Sequence, residues 1–411
     1  MPPSVLCLLT VHGIGFQQAP LADGTPGYAD RLHEQLSAAL PPGLLGDDPQ
    51  RPRQRRGEAG PVYVQSHWPP ESNNSEAGLA RLGRWASRQA WQIDHAQAPL
   101  SGSDARIAHV ALVYSHLEDQ GPHVGAALQA STTTAFAFAH YTTVSGLVRM
   151  ALSDVEALLE SAPQPASPDV ASLRVRRPAS GAADAPSGLL ATLRTLEADV
   201  AAYICRNDLR ERVRSFVFEA LLRLCCREDV GGVVLNTHSN GTVVAFDVLQ
   251  RFPPFAARKV RWFVTAGSPL RKYADLMYWG NQVGCMDAMG PPKRWTNFWD
   301  ARDPVADPLA PPAEWRRGTP LPARSDQLSL FQSVDADTGV ISSVAIEDIL
   351  VDNVQQSRGG GLQAHNYWDN EREVVGRLAG IVQQVLDHAG SGLDQAAPQT
   401  GAGAEQSVRE T

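Results

Sequence analysis

Residues 233–245 constrain the fold of this 411-residue chain more than any other segment. The segment begins with the apolar run Val-Val-Leu, passes through Ser239, and continues into small and apolar residues that favour a helix. This order predicts a buried strand, a sharp turn at the serine, and a helix directly after the turn. Gly241 supplies the small residue that such a turn needs, whereas Thr237 stands where the pattern G-x-S-x-G has its first glycine.

Short apolar runs rich in Val, Leu and Ile predict further strands along the chain. The six predicted strands, of which the last is less apolar, cover residues 5–11, 62–66, 108–114, 232–237, 260–266 and 294–299. Helical patterns lie between several of these runs, and alternation of strands with helices is typical of a parallel sheet covered on both faces. We therefore expect an α/β fold with a mostly parallel central sheet, helices on both of its faces, and a largely helical insertion before the strand that leads to Ser239.

The length of the chain allows a single α/β domain over residues 1–390. The stretch 116–190 is too long for a simple loop, and we interpret it as an insertion that can act as a lid. Within it, residues 124–148 contain no Lys, Arg, Asp or Glu, but polar residues dilute this run too much for a membrane span. A buried helix, a lid helix over an acyl pocket and peripheral membrane contact are the alternatives for this run. Residues 391–411, rich in Gly, Ala and Gln, are expected to be disordered.

The composition argues against several classes of function. A net charge of -8 with a pI near 5.8 gives no basic face for nucleic acid. The five cysteines form no C-x-x-C pair, which argues against a disulfide framework or a zinc site and favours a reducing compartment. The first residues carry no positive signal-peptide region, so a cytoplasmic location is expected, with non-classical export left open. We expect no metal and no cofactor.

The residues around the predicted turn suit nucleophilic chemistry. A serine hydroxyl is a weak nucleophile, so Ser239 would need an adjacent base and donors that stabilise an oxyanion. The backbone amide of Asn240, at the start of the predicted helix, is one expected donor. Ile14, in the glycine-flanked turn after the first strand, is the other. The alternatives are that Ser239 only caps the helix, and that the Ile14 turn cradles a phosphate, which the absence of a Walker lysine disfavours.

Five short motifs carry a resemblance to a known family. They are V-H-G-I-G at 11–15, T-H-S-N-G at 237–241, G-S-P-L at 267–270, D-P-V-A at 303–306 and A-H-N-Y-W at 364–368. Together they resemble the lipase/esterase branch of the α/β-hydrolase superfamily. The resemblance covers roughly residues 4–270, the segment 294–305 and the region of His365. It implies hydrolysis of acyl esters without a cofactor, and it does not define the substrate.

The same resemblance implies a chain order of serine, acid and histidine for the catalytic triad. Two histidines follow the serine in the sequence. His365 comes after three glycines, and His388 ends an apolar helical run near the tail. His365 is the expected base. Asp303, just past a predicted strand, is the expected acid, with Asp300 as the alternative. The imidazole would take the serine proton, and the carboxylate would fix the imidazole tautomer.

These residues predict a serine hydrolase that cleaves carboxylic esters through a Ser-His-Asp triad and an acyl-enzyme. The expected partner is a small-molecule or lipid acyl ester. Three other functions fit the same motifs: a thioesterase or acyltransferase with this triad, a lipase-type secreted toxin, and a catalytically silent scaffold that acts through protein contacts. The presence of Ser239, Asp303 and His365 argues against the silent scaffold.

Overall fold

The strands of the computed structural model lie close to the apolar runs of the sequence. The structure describes residues 5–13, 19–20, 25–49, 60–65, 100–101, 105–114, 203, 207–271, 289–290, 292–303, 305–310, 331–334, 341–356 and 363–393. The predicted insertion at 116–190, with its apolar run at 124–148, lies outside the described residues.

The strands and helices alternate along much of the chain. The strands are β1 (Val5–Val11), β2 (Leu45–Gly46), β3 (Val62–Gln65), β4 (Ile107–Val113), β5 (Val230–His238), β6 (Val260–Ala266), β7 (Arg294–Trp299), β8 (Gln332–Val334), β9 (Ile341–Ser343) and β10 (Ile346–Leu350). The helices are α1 (Asp30–Ala39), α2 (Asn207–Cys226), α3 (Asn240–Leu249), α4 (Pro254–Ala257) and α5 (Gly376–Leu393). Two 3-10 turns (Gln363–His365 and Tyr367–Asp369) and a π turn (Glu371–Val375) precede α5.

Within the described part of the chain, eight strands form one sheet in the order β10-β7-β6-β5-β1-β4-β2, with β3 also paired to β4. All of these pairs are parallel, and only β8 and β9 form a separate antiparallel pair. The predicted α/β fold with a mostly parallel sheet is therefore confirmed. The chain moves outward from β1 toward β4 and from β5 toward β6, so neighbouring β1 and β5 form a topological switch point. In open α/β sheets, ligands bind at the carboxyl ends of the strands beside such a point.

Side chains of β1 alternate between two hydrophobic clusters, one on each face of the sheet. Leu6 and Leu8 pack with residues of α1 and α5. Cys7, Leu9 and Val11 pack on the opposite face with residues of α2 and α3. This alternation follows the two-residue period of a strand, and it shows that helices cover both faces of the sheet.

The last helix continues past the domain end predicted at residue 390. Helix α5 ends at Leu393. Its apolar face, which includes Leu378, Val382 and Val385, has the period of a helix packed on the sheet. Residues 394–411 lie outside the described part of the chain, so the domain end at residue 390 and the disordered tail stay predictions. Of the helices that the structure describes, none is long and apolar enough to cross a membrane.

Candidate active site

Ser239 lies in the sharp turn that the sequence predicts between β5 and α3. Its backbone has φ 53° and ψ -133°, a region that residues other than glycine rarely occupy. The N–H of Ser239 donates to the carbonyl oxygen of Ala266 at 2.9 Å, which ties the turn to the end of β6. The serine side chain makes no capping hydrogen bond to α3. The alternative that Ser239 serves only as a helix cap therefore finds no support in the structure.

The loop after β1 packs directly against this turn. A Cβ atom placed on Gly13 would lie 2.4 Å from Ser239 Cβ, and one placed on Gly241 would lie 2.0 Å from the carbonyl oxygen of His12. Real Cβ atoms do not approach other atoms so closely, so both glycines are required for this contact. Asn240, the first expected oxyanion donor, is buried at the start of α3. Ile14, the second, lies outside the described residues.

Aromatic side chains hold the loop after β1 in place. The ring of His12 stacks on Tyr114 with 4.1 Å between the ring centroids. The Tyr114 hydroxyl donates to the carbonyl oxygen of His12 at 2.5 Å. Tyr114, which directly follows β4, therefore holds the loop that touches Ser239.

The predicted acid and base form a buried pair. His365 Nδ1 donates to Asp303 Oδ2 at 2.8 Å, and the Asp303 side chain is completely buried. A carboxylate only accepts hydrogen bonds, so the proton of the neutral imidazole belongs on Nδ1. In that neutral form Nε2 carries the lone pair, and it is buried without a hydrogen-bond partner among the described residues. A buried lone pair of this kind can act as a base.

The end of β6 connects this pair to the serine turn. A Cβ atom on Gly267, which has φ 61°, would lie 2.8 Å from His365 Cε1, so the imidazole rests against the glycine backbone. The residue before it, Ala266, accepts the N–H of Ser239. No hydrogen bond joins His365 Nε2 to Ser239 in this structure. Catalytic hydrogen bonds are often long in the ligand-free state and shorten when substrate binds.

Asp300, the alternative acid, has a different set of contacts. Its carboxylate accepts the backbone N–H of Arg302 at 2.9 Å and the backbone N–H of Asn353 at 2.7 Å. It therefore joins the end of β7 to the segment after β10. His365 Nδ1 donates its hydrogen bond to Asp303, so the geometry favours Asp303 over Asp300 as the partner of His365.

Sequence reasoning missed His238, which precedes the serine. His238 Nε2 donates to the backbone oxygen of His365 at 2.9 Å, and the two rings lie 4.7 Å apart. Burial, with His365 nearby, lowers the pKa of His238 to about 3. A neutral His238 thus holds the backbone of His365. The only sequence signal is its position beside Ser239, because its partner lies 127 residues away.

This pKa predicts a pH dependence of stability. The pKa of His238 is about 3 in the folded protein, below its ordinary 6.5, so the unfolded chain binds more protons between these values. The contribution of His238 to the free energy of unfolding is complete above pH 6.5 and decreases as the pH falls toward 3. His238→Gln keeps a donor for the His365 carbonyl but does not titrate. Between pH 7 and 4, we expect this variant to lose roughly 2–4 °C less in melting temperature than the wild type.

The measurement is a series of thermal melts of both proteins across this pH range. His109 is buried with a lowered pKa, so part of the acid sensitivity should remain in the variant. Equal losses of melting temperature in the two proteins would contradict the neutral, buried state of His238.

The described residues hold no group of three His, Cys, Asp or Glu side chains that could bind a metal ion. Comparison of the chain with models of known protein families, with curated proteins and with solved structures gives no match.

Proposed function

We propose that this protein is a serine hydrolase that cleaves carboxylic esters, with Ser239 as nucleophile, His365 as base and Asp303 as acid. The observation that carries the proposal is the His365–Asp303 pair. Its hydrogen bond at Nδ1 leaves the buried Nε2 of His365 without a partner among the described residues, beside the strand end that binds the serine turn. Such a constellation is recognised by geometry and by the role of each group rather than by sequence position.

The topology supports an α/β-hydrolase assignment as part of this proposal. Ser239 follows the central strand β5, Asp303 follows β7, and His365 follows β10. This is the chain order of serine, acid and histidine in that superfamily. The strand, strained turn and helix around Ser239 are the context that its nucleophile requires.

The proposed reaction proceeds through an acyl-enzyme. His365 Nε2 takes the proton of Ser239 Oγ as this oxygen attacks the acyl carbon of the ester. Asp303 stabilises the resulting imidazolium through Nδ1. The backbone amide of Asn240, together with Ile14 as expected from the sequence, would donate to the oxyanion. His365 then gives its proton to the departing alcohol. In the second half of the reaction the imidazole deprotonates a water molecule that attacks the acyl carbon, and it returns this proton to Ser239 Oγ as the carboxylic acid leaves.

The experiment is labelling with a fluorescent fluorophosphonate, which reacts with activated serines. We expect the wild-type protein to be labelled at neutral pH and Ser239→Ala to be unlabelled. Ser268→Ala is the matched control, because Ser268 is buried near the same turn, with its hydroxyl 2.8 Å from Thr242 Oγ1. Full labelling of Ser239→Ala, or no labelling of the wild type, would contradict the proposal, and the latter result would favour a silent scaffold.

A further inference from the structure

We propose that Tyr367 is a positioning residue of the triad, whose hydroxyl shares Asp303 Oδ2 with His365 and thereby limits the basicity of the imidazole. The inference rests on the proposed hydrolysis at Ser239. It adds to that proposal a residue that does not touch the reacting atoms and acts on them through Asp303.

The direction of each hydrogen bond at the Tyr367 hydroxyl follows from its neighbours. The backbone N–H of Asp300 donates to the phenol oxygen at 2.8 Å, so it occupies an acceptor position of the hydroxyl. The phenol oxygen lies 3.0 Å from Asp303 Oδ2, which cannot donate when ionised. The single hydroxyl proton of Tyr367 is therefore directed at Asp303. Burial, with Asp303 beside it, raises the pKa of Tyr367, so the phenol keeps this proton.

The buried Asp303 carboxylate thus accepts three hydrogen bonds. The backbone N–H of Val305 donates to Oδ1 at 2.9 Å, while His365 Nδ1 and the Tyr367 hydroxyl both donate to Oδ2. Hydrogen bonds to the charged form of a carboxyl group favour that form. A carboxylate held by these three donors lies in place to stabilise the imidazolium that forms when His365 takes the serine proton.

Two donors on one oxygen also compete for its charge. The hydrogen bond that Tyr367 donates to Oδ2 reduces the negative charge available to stabilise an imidazolium at His365. The other titratable groups around the pair do not replace this effect. His238 is neutral because burial lowers its pKa to about 3, and Asp300 is bonded to Arg302 and Asn353. Removal of the Tyr367 hydroxyl should therefore make His365 more basic.

Tyr367→Phe tests this inference, because it removes only the hydroxyl from a ring that is completely buried. The measurement is the second-order rate of inactivation by a fluorophosphonate as a function of pH. We expect the midpoint of the acid limb to move up by about 0.5–1 pH unit. Rates on the acid limb should fall about 3- to 10-fold more than the rate on the neutral plateau. A purely structural role of Tyr367 would lower all rates together and leave the midpoint unchanged.

Tyr203→Phe is the matched control. The Tyr203 hydroxyl donates to Asp247 Oδ2 at 3.2 Å in another buried part of the protein, so this variant removes the same kind of bond outside the triad. We expect its midpoint to equal that of the wild type. A shift of equal size in both variants would contradict the specific role of Tyr367.

A second variant strengthens the bond instead of removing it. Incorporation of 3-fluorotyrosine at position 367 gives a more acidic phenol, which donates more strongly to Asp303, so the midpoint should move down. Because this variant keeps the hydroxyl, it should fold even if Tyr367→Phe does not fold. Labelled wild-type protein combined with unmoved midpoints in both variants would overturn the role of Tyr367 alone. Absence of labelling at Ser239 in the wild type at any pH would overturn the proposed hydrolysis and this inference together.

Discussion

Replacement of His365 by alanine is expected to lower kcat/KM for a short soluble ester by about 10⁴- to 10⁶-fold, close to the effect of Ser239→Ala. The reason is that no other described side chain offers a base bonded to a buried carboxylate beside the serine turn. Triad members act as a unit, so combining Ser239→Ala with His365→Ala should lower the activity by at most a few fold beyond either single variant. The measurement is steady-state hydrolysis of a nitrophenyl ester by the purified proteins.

His388→Ala is the matched control for this result. His388 is the other histidine after the serine, and it is exposed on α5, where its ring contacts the carbonyl oxygen of Gln384. We expect its activity to equal that of the wild type. Retention of more than about a tenth of wild-type kcat/KM by His365→Ala would show that another group removes the serine proton.

Asp303→Asn is expected to lower kcat by about 10³- to 10⁴-fold at neutral pH. An asparagine amide can direct an N–H at His365 Nδ1, which moves the imidazole proton to Nε2 and leaves no base for the serine. Asp300→Asn should reduce activity by less than about tenfold, because this carboxylate binds backbone amides and does not reach the imidazole. Its main effect should be a lower melting temperature.

The comparison of these two variants decides which carboxylate serves the base. Both should be assayed at equal concentrations of folded protein, with circular dichroism spectra that match the wild type. A larger loss of kcat in Asp300→Asn than in Asp303→Asn would contradict the assignment of Asp303.

The fold was predictable where strands are buried on both faces. The bounds of β1 and β6 agree with their predicted ranges, because parallel strands inside a sheet consist mostly of apolar residues. The bounds of β7 agree as well, although this strand is less apolar. β2 has only two residues, and β10 contains Glu347 and Asp348, so neither has an apolar run to reveal it. The charged Asp348 is accommodated in β10 because its carboxylate accepts hydrogen bonds from the backbone N–H groups of Leu309 and Ala310. These partners are distant in the sequence, so no local pattern indicates them.

For the candidate site, the sequence offers only the local pattern around Ser239 and the order of residues along the chain. A strand, a serine and a small-residue helix indicate Ser239 locally, and chain order leaves few candidates for its partners. The choice between Asp300 and Asp303 needed the fold, because both flank the same turn and differ only in what they contact. The roles of His238 and Tyr367 likewise depend on contacts with residues distant in the chain.

The central claim is that Ser239 is the residue that becomes acylated, and its most direct test is to locate the adduct. The wild-type protein would be treated with a fluorophosphonate at neutral pH, digested, and analysed by mass spectrometry of its peptides. We predict a single adduct on Ser239, formed much more slowly in His365→Ala and in Asp303→Asn. An adduct formed at the same rate on another residue, such as the nearby Ser268, or an adduct on Ser239 whose rate does not depend on His365, would contradict the account.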